Sequence, residues 1–87
     1  MRIEFDPAKR DRTLAERGLD FADAVEVFAG ASETAQDVRF AYPEPRFVTK
    51  GWLRERLVVV VWTPVAGGRR IISMRKANDR EKRYPPR

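Results

Sequence analysis

The chain reads as an α+β fold: two helices, a mainly antiparallel sheet, then a short final helix. Three features predict this. Two segments of the first half open at an aspartate suited to cap a helix and close at a glycine, Asp6 to Gly18 and Asp20 to Gly30. The second half holds three extended segments parted by turn sequences. The middle one, residues 57–62, is apolar without alternation, the pattern of a strand covered on both faces. With 87 residues there is material for one modest core, so residues 1–87 are expected to form one domain.

Each element follows from local chemistry. Arg2-Ile3-Glu4-Phe5 alternates polar and apolar as a half-buried strand does. Asp6-Pro7 supplies an N-cap and a first helical residue, and Gly18 stops that helix after about Arg17. Lys9, Arg10, Asp11, Arg12 and Glu16 crowd its polar side, leaving Ala8, Leu14 and Ala15 to pack, so it is expected on the sheet surface. Asp20 caps the second helix, with Asp23 where a capping-box acid would stand. Phe21, Ala24, Val25 and Phe28 follow the i, i+3, i+4, i+7 spacing of one buried face. Residues 32–40 leave an edge strand and a loop both open. Tyr42-Pro43-Glu44-Pro45 is a loop, because each proline removes a donor and restricts its predecessor. Residues 46–53 form a strand, Arg54-Glu55 a tight turn, 57–62 the central strand, 64–68 a turn and 70–75 a third strand. Asn78 opens the last helix, which Pro85-Pro86 stops. The order is β-α-α-β-β-β-α, and the helices must cover the sheet because so short a meander cannot bury a core alone.

The charge is unevenly spread along the chain. Residues 1–44 carry 6 Lys/Arg and 10 Asp/Glu, a net −4, and residues 45–87 carry 12 and 3, a net +9. Nine of those twelve cations are arginine, whose planar fork suits phosphate. The asymmetry points to a polyanion or an acidic partner at the second half, against the plainer reading of solubilising surface charge. No cysteine is present, which excludes disulfides and thiolate chemistry. No histidine is present either, so any acid–base work falls to carboxylate, Lys, Tyr or Arg. No metal-ligand constellation is visible, so neither a metal nor a cofactor is expected. Gly67-Gly68 lies between two strands and reads as a turn, not a phosphate loop. No apolar stretch reaches membrane-spanning length and the N-terminus lacks an apolar leader, so the cytoplasm is the expected address.

Candidate site residues cluster in the basic half. Arg75 and Lys76 stand where a strand passes into a helix and can bind phosphate, or can be solvated rim charges; Arg70 adds to the same strand. Strand parity puts Ser73 with Arg75, and Ile72 with Met74 on the other face. Arg46, Lys50 and Arg54 share parity with Val48 and Trp52, a basic stripe with an aromatic ring that suits unpaired RNA bases. The competing reading makes Trp52 core, the commoner place for so large an apolar group. Glu81 can take a proton from a ribose hydroxyl, kept ionised by Arg75, Arg80 or Arg83. Asn78-x-x-Glu81 also has capping-box spacing, and that structural role is favoured. Tyr84 can donate a proton, stack, or pin the last helix to the sheet.

The segments Phe5-Asp6-Pro7-Ala8-Lys9, Arg17-Gly18-Leu19, Phe21-Ala22-Asp23-Ala24, Val27-Phe28, Arg46-Phe47-Val48 with Gly51, residues 57–62, and Arg70-Ile71-Ile72-Ser73-Met74-Arg75-Lys76-Ala77 with Glu81 resemble, in order and spacing, the BrnT family. The resemblance covers nearly the whole chain. It implies a RelE-like fold and a metal-independent ribonuclease toxin of a type II toxin–antitoxin system that inhibits translation. It further implies neutralisation by a BrnA-like antitoxin in a hetero-oligomer. Carried onto this chain, it implies catalytic roles for Arg46, Arg75, Lys76 and Glu81, and more weakly for Lys50 and Tyr84. Trp52, Arg54 and Arg70 join Lys50 and Tyr84 as RNA-binding candidates on charge and aromatic character. Two other readings fit the footprint: a non-catalytic nucleic-acid-binding module, and a scaffold whose basic face docks an acidic protein.

Overall fold

The unalternating apolar run lies at the middle of a five-stranded sheet. In the computed structural model, which describes residues 1–87, the strand order is β1-β5-β4-β3-β2. The strands are β1 (Arg2–Glu4), β2 (Ser32–Gln36), β3 (Phe47–Leu53), β4 (Arg56–Val65) and β5 (Gly68–Lys76). Strands β2 to β5 pair antiparallel in succession, while β1 runs parallel to β5, so the sheet is mixed. The open segment 32–40 resolves into a strand over its first five residues, at the sheet edge, which adds one strand to the expected order.

Both faces of β4 are buried, as the composition of the run requires. Val58, Val60 and Trp62 join Leu19, Phe21, Ala24, Val27, Leu53, Ile71 and Met74 in the main core. Leu57 and Val59 meet Ala77 on the other face in a smaller cluster, with Val48 packed against it. Each such side chain contributes roughly 1.5–3 kcal/mol by leaving water, which makes β4 the best-buried strand of the sheet.

Helix α1 (Pro7–Arg17) has the expected ends. The Asp6 carboxylate accepts the Ala8 N–H, and Gly18, at φ 69°, donates its N–H to the Leu14 carbonyl. Its packing differs from expectation. Ala8, Leu14 and Ala15 are exposed, and Arg10 and Thr13 are the half-buried positions. The helix is held by polar bonds: the Arg10 fork on Asp20 at 2.9 and 2.7 Å, and Arg17 donating to the Met74 carbonyl at 2.8 Å. Too few apolar residues fall on one side for it to attach otherwise.

The second helix opens as a 3₁₀ turn, Phe21–Asp23, before α2 (Ala24–Ala29). Asp20 caps it by accepting from Ala22, but Asp23 makes no capping bond, so the expected box is absent. A 3₁₀ turn advances about 120° per residue, not 100°. The buried set is therefore Phe21, Ala24 and Val27, three apart, and Val25 is 42% exposed.

A bulge in β5 overturns one parity argument. Val61 pairs with Ser73 but Trp62 pairs with Ile71, which leaves Ile72 without a partner. Ile71, not Ile72, thus shares the main core with Met74. Ser73 and Arg75 still face together, since the bulge lies before them. Arg54-Glu55 forms the tight turn between β3 and β4, with Arg54 at φ 58°. A single turn, α3 (Asp79–Lys82), follows Asn78. No helix is long and apolar enough to cross a membrane.

Candidate nucleic-acid interface

Helices from the first half cover one face of the sheet; the other face carries the candidate site. Alternation in β3 sends Thr49, Gly51 and Leu53 to the buried side and Val48, Lys50 and Trp52 to this second face. Lys50 pairs with Val59, and Val59 with Arg75, so Lys50 and Arg75 stand in one row across β4. Two strand spacings, about 10 Å, separate their backbones. Chain beyond β5 turns back over the same face: Ala77 packs on Leu57 and Val59, and Pro86 is buried.

Arg75 and Glu81 form a two-bond ion pair on this face. The guanidinium donates two bonds to the carboxylate, at 2.8 and 2.9 Å. Glu81 also completes the capping box, accepting from the Asn78 N–H at 2.8 Å while its own N–H donates to Asn78 Oδ1 at 2.9 Å. The two roles weighed for Glu81 therefore coexist in one carboxylate. Hydrogen bonding from Arg75 first, then from the Asn78 backbone against a burial penalty, lowers its pKa from 4.5 to about 2. The same bond raises the pKa of Arg75.

Lys50 closes the end of α3. Its ammonium donates to the Tyr84 carbonyl at 2.8 Å and the Glu81 carbonyl at 3.3 Å, where a helix C-terminus favours positive charge. Glu33 of β2 lies 3.9 Å from the same nitrogen. Trp52 is not core; Trp62 fills that place. The Trp52 side chain stays on the second face, 37% exposed, and its indole N–H donates to the Pro86 carbonyl at 3.3 Å. The Tyr84 side chain is exposed.

The other candidates lie apart. Lys76 pairs with Val58 and so takes the helix-covered side, opposite to Arg75; adjacent strand residues cannot share a face. Arg54 sits in the turn and pairs with Glu26 at 3.3 Å and Asp23 at 4.0 Å, leaving the stripe. Arg70 is near the other end of β5, 3.7 Å from Glu4. Arg46 precedes β3, with its guanidinium 4.3 Å from the centre of the Tyr42 ring. The charge asymmetry of the sequence is thus partly neutralised in space, because β1, β2 and α2 bring acids beside Arg70, Lys50 and Arg54.

Two arrangements were not legible beforehand. Arg69 stacks between Phe28 and Trp62, at 4.2 and 4.3 Å from their centres, closing one end of the main core. Asp37 gathers Arg39 and Tyr42 within the loop before β3. The short Asp37-Val38-Arg39 spacing was the available signal; the ambiguity of residues 32–40 hid it.

No curated protein matches the chain. A family model described as the ribonuclease toxin BrnT of type II toxin–antitoxin systems matches residues 5–81. The chain belongs to this family of ribonuclease toxins, and toxins of such systems pair with an antitoxin protein.

Proposed function

With that membership as premise, we propose that the chain is a metal-independent endoribonuclease of RelE-like fold, acting in the cytoplasm and silenced by a BrnA-like antitoxin. The observation that carries this reading is the row of Arg75 and Lys50 beside Trp52 on one sheet face. A single RNA strand laid on that face meets two cations for phosphate and one ring for a base. Cleavage proceeds by attack of a ribose 2′-oxygen on the adjacent phosphorus, its proton passing to water; the bond from phosphorus to the 5′-oxygen of the next nucleotide breaks, that oxygen takes a proton from water, and a 2′,3′-cyclic phosphate is left. The charge that builds on the phosphorane is met by Arg75, which needs no metal to supply it. In support of metal independence, the chain has no His or Cys and brings no three carboxylates together.

Glu81 is a positioning residue in this mechanism. A carboxylate with a pKa of about 2 is a weak base near neutral pH, far from the optimum for proton abstraction. Its two bonds instead hold the Arg75 fork at the strand end. Lys76, on the opposite face, is left outside the reacting set, and Tyr84 is free to stack.

The deciding experiment is cleavage of single-stranded RNA by the purified chain in excess EDTA. Cleavage that persists supports the proposal. Cleavage abolished by EDTA and restored by Mg²⁺ refutes metal independence, and RNA binding without cleavage under both conditions identifies a binding module instead.

A further inference from the structure

Residues 37–46, between β2 and β3, build a second feature that the Arg75 row does not use. Asp37 organises it. Its nearly buried carboxylate accepts two bonds from the Arg39 guanidinium, both 2.9 Å, and one from the Tyr42 hydroxyl at 2.9 Å. The Asp37 N–H donates to the Arg46 carbonyl at 2.8 Å, which ties both ends of the loop together. Phe40 stands edge-on to Tyr42, 5.9 Å between centres, and is 66% exposed. The loop borders an open pocket of about 320 Å³, lined by Phe40, Tyr42, Glu44 and Arg46 among others.

Arg46 is the unexplained part. Its guanidinium carbon lies over the Tyr42 ring, yet its Nε is buried and has no hydrogen-bond partner. A buried donor left without an acceptor is costly, and the fold supplies none. Arg39 already answers the Asp37 charge, and Arg46 forms no ion pair with Glu44, the other acid of the loop.

Resting on the ribonuclease reading above, we infer that this pocket is a base-recognition subsite: one unpaired nucleobase stacks on Phe40 and gives its acceptor edge to Arg46. Guanine is the base whose edge offers two adjacent acceptors to an arginine fork. An RNA strand reaches both features. Arg46 precedes Lys50 by four residues of extended chain, roughly 13 Å, a span a single strand crossing the face can bridge. The loop is organised before any ligand arrives, which lowers the ordering cost of binding.

The test uses a short oligoribonucleotide made uncleavable by 2′-O-methylation, with Kd measured for the full chain and for Phe40→Ala and Arg46→Lys. Phe40 is exposed, so Phe40→Ala is expected to keep the wild-type melting temperature. Each variant should weaken binding roughly ten-fold, the scale of one stacked base. Removing one base at a single position should weaken wild type by a similar factor and leave Phe40→Ala unaffected. Replacing guanine by 7-deazaguanine there should weaken wild type more than Arg46→Lys, because a lysine ammonium lacks the planar fork that spans N7 and O6 together. Binding equal to wild type in both variants overturns the subsite, as does a Phe40→Ala that loses only its hold on the antitoxin. If the wild-type chain binds no RNA at all, the ribonuclease reading falls and takes the subsite with it. If it binds and cleaves through Arg75 regardless of Phe40, the subsite alone falls.

Discussion

Arg75 and Glu81 show how one pair of residues carries several duties. Glu81 is legible in the sequence as a helix-capping acid, because Asn78-x-x-Glu81 has the spacing and the cap bonds form. That the same carboxylate grips Arg75 depends on how α3 folds back over β5, which spacing does not encode. Arg75→Ala should lower RNA cleavage by roughly 10²–10³-fold, the scale for losing one charge-stabilising donor. Arg87→Ala, at an exposed terminal position, should cleave as wild type does. Equal rates for the two variants, at equal melting temperatures, would remove Arg75 from the site. The pair also sets a pH dependence. Glu81 has a lowered pKa in the folded chain, so its contribution to stability is complete above its ordinary value of 4.5 and disappears as pH falls through about 2. The melting-temperature advantage of wild type over Glu81→Gln should therefore shrink from about pH 5 to about pH 2. A constant advantage across that range would deny the ion pair.

At the scale of elements, capping chemistry was readable and facing was only partly so. Asp6, Asp20 and Asn78 all cap, and Gly18 takes the left-handed conformation that ends α1. Which side of each element is buried went astray wherever a non-ideal period intervened, the 3₁₀ turn before α2 and the bulge at Ile72. Both are tertiary accommodations, and a pattern of polar and apolar letters assumes ideal periods. The edge strand β1 was legible in the alternation of residues 2–5, but its parallel pairing with β5 was not, since three residues carry no signal for partner or direction. Its seat is tight: a Cβ at Gly68 would overlap the Arg2 backbone. Gly68→Ala should therefore loosen β1 from β5 and cost about 1–3 kcal/mol, seen as faster amide exchange at residues 2–4 with β3–β4 unaffected. Unchanged exchange there would show that the edge can shift to admit a methyl. Asn78→Ala removes the cap of α3 and should cost about 1 kcal/mol of stability by denaturant titration.

For the whole molecule, net charge sets the pull on RNA while topology sets where it acts. The second half carries +9, but Arg54, Arg70 and Lys50 face acids of the first half across the packed elements. RNA binding should weaken steeply with salt, and Lys50→Ala should reduce the slope of log K against log salt by about 0.7, one phosphate contact on a single strand. An unchanged slope would place Lys50 outside the RNA path and leave it as a tether for α3. By itself the sequence determined the α+β class, the central strand, the helix caps, the missing thiol and imidazole chemistry and the family resemblance, because composition, local caps and hydrophobic pattern act over a few residues. Only the tertiary structure decided that Arg75 and Lys76 part to opposite faces, that Arg75 meets Glu81, that Trp52 lies outside the core, and that Asp37, Tyr42 and Arg46 gather in one loop. Those outcomes depend on strand register, a bulge and the path of the chain after β5, which arise from distant segments packing together.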